Sequence, residues 1–173
     1  MSAERIERVE GRGLVLRGPD VDTDRIMPAR FLRAITFDGL ERHVFEDERL
    51  SMHQSGAVHP FDQPAAQGAS VMVVNNNFGS GSSREHAPQG LRRWGIRAIV
   101  GESFAEIFFG NSLMIGLACV TAAPSDIAAL MALVDADPSV SIAVDIAAGV
   151  CTAGALRFPV TAPPAVRDAL MSG

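Results

Sequence analysis

The sequence predicts an α/β layered domain, and three features predict it. Short apolar runs alternate with helical patterns from Val71 onward, a polar glycine loop follows the first of those runs, and short strand-like segments gather near the C-terminal end. Taken in order, residues 6–16 mix apolar and polar side chains around Gly11 and Gly13, as an opening strand or hairpin does. The stretch RGPDVDTDRIMPARFLRAITFDG then reads as a polar loop, marked by its Gly-Pro pair and by Asp20, Asp22 and Asp24, before a short segment that can turn helical from Pro28. Residues 43–67 are polar and patternless, and an irregular connection of that length points to function or mobility.

Regularity begins at the apolar strand Val71–Val74. A helix is expected over 83–94, with Leu91 and Trp94 free to pack, then a strand over 98–100 and a helix over 102–111 with Phe104, Ile107 and Phe108 at helical spacing. After a strand at 117–121 comes the clearest helix, 124–135. Pro124 stands near its start and Ile127, Leu130, Met131 and Val134 share one face. Short strands over 140–145, around Val150 and over 155–160, and a closing helix over 163–171, complete the pattern.

A length of 173 residues suits a single domain with its own core, and 47% apolar against 20% charged residues marks a folded globular chain. The formal charge of −5, with arginines dispersed among acids, argues against nucleic acid and for small ligands. No apolar run is long enough to cross a membrane, and the opening MSAERIERVEGRG lacks the apolar core of a signal peptide, so the chain is expected in the cytoplasm. Cys119 and Cys151 stand apart outside any CxxC pair, and His43, His53, His59 and His86 form no HxxxH pattern. Neither set has metal-ligand spacing, and both cysteines read as reduced, buried thiols.

The chemistry concentrates in NNNFGSGSSREHAPQG, residues 75–90. Gly79 and Gly81 between a strand and a helix let the backbone turn tightly, and the following helix start offers unpaired amides to an anion. Ser82, Ser83 and Arg84 stand where that anion would lie. The loop has no lysine for a phosphate-binding P-loop, no third glycine for a dinucleotide fingerprint, and no Gly-x-Ser-x-Gly nucleophile elbow. Simple capping by a serine also explains part of the pattern, but not the polar approach that Asn75, Asn76 and Asn77 add at a strand end.

NFGSGSSREHAPQGL resembles the signature of isopropylmalate isomerase small subunits, the family that corresponds to the swivelling C-terminal domain of aconitases. DVDTDRIMPARFL, residues 20–32, is similar to that family's N-terminal Thr-Asp segment, and RAIVGESFAEIFFGNSLMIGL, residues 97–117, follows its order and spacing. Ser80 stands where many of these subunits carry cysteine, and Gln89-Gly90 replaces a common Trp-Ala. The resemblance implies a single three-layer β/β/α swivelling domain over 1–173. It also implies a hydro-lyase of leucine biosynthesis that is active only with a large subunit, and that partner carries the [4Fe–4S] cluster while this chain binds no cofactor or metal.

The resemblance assigns roles residue by residue. Ser82 is the base, acting as an alkoxide; Gly81 and Ser83 supply amides, and Arg84 holds a substrate carboxylate with Ser83 assisting. Thr23 and Asp24 order the catalytic loop. Residues 28–36 read the substrate side chain through Phe31 and Leu32, with a second carboxylate clamp from Arg30 or Arg33; packing in the core is the competing reading for Phe31 and Leu32. His86 is expected to hydrogen-bond structurally. The acid's side chain stays open among isopropylmalate and the substrates of homoaconitase or of citraconate and dimethylmalate dehydratases, and a non-catalytic carboxylate-binding module is the reading from another class.

Overall fold

The computed structural model describes residues 5–33, 36–81 and 85–172. Its centre is β1 (Arg8–Leu16), a strand long enough to serve two partners in different directions. Residues 8–12 pair antiparallel with β5 (Ser141–Asp145), and residues 13–16 pair parallel with β2 (Val71–Val74). β3 (Ala98–Gly101) and β4 (Ala118–Thr121) extend the parallel side, β6 (Val150–Ala153) and β7 (Leu156–Pro159) the antiparallel side, for the order β4-β3-β2-β1-β5-β6-β7. The expected opening strand or hairpin is therefore one strand, and its glycines mark the changeover. A Cβ on Gly11 would stand 1.9 Å from Ser70 Oγ, and one on Gly13 2.6 Å from Ile142 Cδ1.

Every residue of β2 and β3 is buried, as in a parallel sheet covered on both faces. Alternate side chains feed two cores. Leu14, Leu16, Met72, Val74, Ile99 and Cys119 face one, and Val71, Val73, Ala98, Val100, Ala118 and Val120 face the other. Helices α1 (Thr23–Ile26), α3 (His86–Trp94) and α4 (Glu106–Met114), with the segment between α1 and β2, close the first core. The second is closed by α5 (Pro124–Ala136), α6 (Pro164–Ser172) and the inner face of the antiparallel strands, which the curl of the sheet brings over it. The mixed α/β fold with its curled seven-strand sheet agrees with the α/β layering expected from the residues and with the β/β/α domain the resemblance implies.

Three elements depart from expectation, each for a local reason. Residues 43–67 hold a regular helix, α2 (Glu46–Gln54), which buries none of its side chains and so shows no apolar periodicity. Helix α4 starts later than expected because Phe104 forms a parallel bridge with Phe78, and Ala105 N–H donates to Phe78 O (3.0 Å). Ile107 is accordingly 53% exposed while Phe108 is buried. Helix α1 stands inside the stretch read as a polar loop because Asp22 caps it, accepting the Arg25 N–H (2.8 Å), and Gly90 of α3 lies so close to it that a Cβ would stand 2.5 Å from Met27 Cε. Helix α5 follows its pattern, with Ile127, Leu130, Met131 and Val134 all buried.

Candidate functional site

The loops after β1, β2 and β3 converge at the C-terminal edge of the parallel strands, where open α/β sheets bind ligands. Their polar residues stitch them together. Asn75 Oδ1 accepts the Gly18 N–H (2.8 Å) while its Nδ2 donates to Glu102 (2.7 Å). Asn77, in the left-handed region at φ 54°, donates from Nδ2 to Asp20 (2.9 Å) and from its backbone N–H to Ser103 Oγ (2.7 Å). The asparagines that suggested a polar approach to a ligand thus hold the loop frame.

On that frame the two distant motifs meet. Gly79 N–H donates to Val21 O (2.7 Å), Thr23 N–H donates to Ser80 O (2.8 Å), and Asp22 and Ser80 pair as a parallel bridge. Gly79 and Gly81 both take positive φ, 86° and 99°, which spares them the strain a side chain would bring. A Cβ on Gly79 would strike the Phe108 ring at 2.2 Å, and one on Gly81 would touch Thr23 Oγ1 at 3.4 Å. The last described residue before Ser82 therefore lies against the Thr-Asp segment. Ser82, Ser83 and Arg84 lie outside the described residues.

The rest of the expected site follows in order. Thr23 is buried and Asp24 exposed, and both have interaction partners; Asp22 caps their short helix by accepting the Arg25 N–H (2.8 Å). A single 3-10 turn, Ala29–Arg33, carries Phe31, Leu32 and Arg33. Phe31 packs on the first core and stacks on His43 (4.0 Å between centroids, 17° between planes), and Leu32 is half-buried. Arg30 lies 4.7 Å from the Phe31 ring centre and pairs with Glu46 (2.5 Å) and Asp47 (2.8 Å). Arg33 is exposed and forms no ion pair among the described residues. His86 packs edge-on against Phe37 at 5.1 Å, and its Nδ1 is buried with no hydrogen-bond partner among the described residues.

The matching family model is the aconitase C-terminal domain, over residues 3–124. The chain is 50% identical over 169 residues to the 3-isopropylmalate dehydratase small subunit of a Synechocystis species, which spans 98% of this chain and 83% of that protein. It is 43% identical over 170 residues to the protein of the same name from a strain of Thermus thermophilus, 98% and 85% covered. The chain belongs to the family of 3-isopropylmalate dehydratase small subunits, built on the aconitase C-terminal domain. Its fold matches the crystal structure of a 3-isopropylmalate dehydratase from Methanocaldococcus jannaschii, with TM-score 0.71, 24% identity and 93% and 86% of the two chains covered.

An iron-sulfur cluster does not fit this family member's own residues. Cys119 sits in one core and Cys151 in the other, and burial pushes both thiols up to about 12, far from the thiolate a cluster needs. Among the described residues, no group of three or more His, Cys, Asp or Glu is placed to hold a metal ion. No helix among them is long and apolar enough to cross a membrane.

Sequence reasoning missed the residues behind the site. His43, Glu46, Asp47, Glu48 and His59 all touch the 23–33 segment or brace the residues that do. The available signal was the run Glu46, Asp47, Glu48, since acids gather in the first turn of a helix.

Proposed function

We propose that this chain is the small subunit of a 3-isopropylmalate dehydratase, interconverting 2- and 3-isopropylmalate in leucine biosynthesis together with a large subunit. The observation that carries the reading is the Gly79–Val21 and Ser80–Thr23 bonding. It seats the glycine loop and the Thr-Asp segment side by side in a chain whose relatives bear that name. The whole chain acts as one swivelling domain in the cytoplasm, closing over the large subunit and a small diacid.

The reaction removes water and restores it with the hydroxyl on the neighbouring carbon. A [4Fe–4S] cluster held by the large subunit would supply Lewis acidity toward the departing hydroxyl, and this chain handles the proton and the carboxylate. Abstracting a proton next to a carboxylate builds negative charge on that carboxylate, so a base must be paired with cations and amides aimed at the charge. Ser82 is the base. A serine hydroxyl is too weak an acid to ionise unaided, and Arg84 with the Gly81 and Ser83 amides favours its anion. Thr23, against Gly81, and Asp24 order this loop. Leu32 and Phe31 shape the place for the isopropyl group. Arg33 is the second carboxylate clamp, since Arg30 is committed to Glu46 and Asp47.

The test is co-expression with the large subunit, anaerobic cluster reconstitution, and alkene absorbance with isopropylmalate, homocitrate and citramalate in turn. Turnover that requires both chains and favours isopropylmalate is the expected result. Preference for another diacid moves the chain to a sister reaction of the same chemistry, and binding without turnover of any of the three leaves a carboxylate-binding module.

A further inference from the structure

Helix α2 is a puzzle as a packing element. None of its residues is buried, yet it opens with three consecutive acids, and all three reach the segment that carries the proposed substrate contacts. We infer that Glu46, Asp47 and Glu48 are positioning residues that hold the 23–33 segment in register over the glycine loop and leave Arg33, among the described residues, as its free cation. The inference rests on the reading above, in which that segment meets substrate.

The segment brings three arginines, Arg25, Arg30 and Arg33, to a site meant for a diacid. Any of them could pair with a substrate carboxylate, so the wrong pairing has to be prevented. Glu48 Oε1 accepts from Arg25 Nε, and Glu46 and Asp47 hold Arg30. These pairs span both ends of the segment, one on α1 and one on the 3-10 turn.

Two of the acids are braced from behind. His43 Nδ1 lies 2.9 Å from Glu46 Oε1 while its ring stacks on Phe31. His59, 2% exposed, accepts the Phe61 N–H at Nδ1 (3.1 Å), so the ring proton sits on Nε2 and faces Glu48 Oε2 at 3.3 Å. The helix start itself is pinned to α1. Phe45, fully buried and left-handed at φ 53°, donates its N–H to Ile26 O (2.8 Å). That conformation is unfavourable for a residue with a side chain and persists only where its surroundings impose it. Burial raises the Glu46 and Glu48 carboxyls, but hydrogen bonds from His43 and Arg30 to the first, and from His59 and Arg25 to the second, outweigh it and leave both below the ordinary 4.5.

Exposure decides where the effect must appear. The Arg25 and Arg30 side chains are 40% and 50% exposed, and pairs that open to water add little to stability. Their removal is therefore read in substrate binding rather than in melting.

The test uses the reconstituted two-subunit enzyme carrying Glu48→Gln or the double variant Glu46→Gln/Asp47→Asn, with Glu10→Gln as a control that breaks an exposed pair, Arg8–Glu10, away from the site. The double variant should raise KM for isopropylmalate about tenfold with kcat within about twofold, since misplacing a clamp weakens binding before it alters the reacting groups. Adding Arg30→Gln to it should raise KM no further, because the two changes remove one interaction. Glu48→Gln should lower kcat about threefold through Thr23 and Asp24, and the control should change neither constant. In the isolated chain, amide exchange at Thr23, Met27 and Phe31 should quicken in both α2 variants and stay as it is in the control. Unchanged KM and kcat in the α2 variants, or unchanged exchange over 23–33, overturns the inference. An inactive wild-type complex would count against the proposed function, and the exchange measurement then decides the positioning role by itself.

Discussion

The two halves of the sheet share β1 but spend their residues differently. On the parallel side β2 and β3 are buried throughout, so polar chemistry has nowhere to go but the strand ends. There Asn75, Asn77, Asp20, Ser103 and Glu102 tie three loops into one frame. On the antiparallel side β6 alternates buried and half-buried residues, and the connection after β5 is a tight turn in which Asp145 accepts the Ala148 N–H and Gly149 takes φ 70°. One half carries the candidate site at an edge, and the other supplies the floor of the second core. Changes in the two halves should therefore separate activity from stability.

The sharpest break of that contrast is Ser82→Ala. Removing the proposed base should cut turnover of the assembled enzyme by on the order of 10³-fold while ligand affinity and melting temperature hold, because a positioned base contributes about that much. Turnover within a few-fold of wild type would end the role given to Ser82. On the antiparallel side Phe158→Ala should do the reverse. The ring is buried in the second core, and its loss should cost about 3 kcal/mol of unfolding free energy, with kcat and KM of the folded fraction unchanged. Gly79→Ala falls between them. Positive φ and a 2.2 Å clash with the Phe108 ring should cost about 1–3 kcal/mol, and the shifted loop should lower turnover as well. Denaturant melts alongside steady-state kinetics separate the three outcomes.

Patterned residues were the legible ones. Ile127, Leu130, Met131 and Val134 repeat at helical spacing, and α5 buries all four. The runs at Val71 and Ala98 are apolar without alternation, as strands covered on both faces are, and the glycine loop announced itself by composition. Helix α2 stayed hidden because its reason for existing is electrostatic. Its partners Arg25 and Arg30 lie on two other elements, α1 and the 3-10 turn, and no periodicity in residues 43–67 records a charge pair across that distance. The halves of β1 were equally invisible. Strand propensity is the same whichever neighbour pairs with it, and only the finished sheet shows that Gly11 and Gly13 sit where the partner changes.

Acid should separate the halves most gently. Glu46 and Glu48 have carboxyls held below the ordinary 4.5 in the folded chain, so each favours folding when charged. The sign follows from linkage: their contribution is complete above about 4.5 and fades as pH falls from there through the lower folded values. His43 and His59 face these acids as donors, Arg25 and Arg30 pair with them, and Asp47 shares Arg30, so protonating Glu46 and Glu48 removes the centre of both networks. The 23–33 segment should then exchange its amides faster below pH 4.5 while the β6–β7 ladder, whose two strands carry no carboxylate and pair through backbone bonds, stays protected. Amide exchange followed downward from pH 6 reads both regions in one sample. Simultaneous loosening of segment and ladder would mean that acid unfolds the chain as a unit, and that α2 grips the site no more specifically than the sheet holds itself.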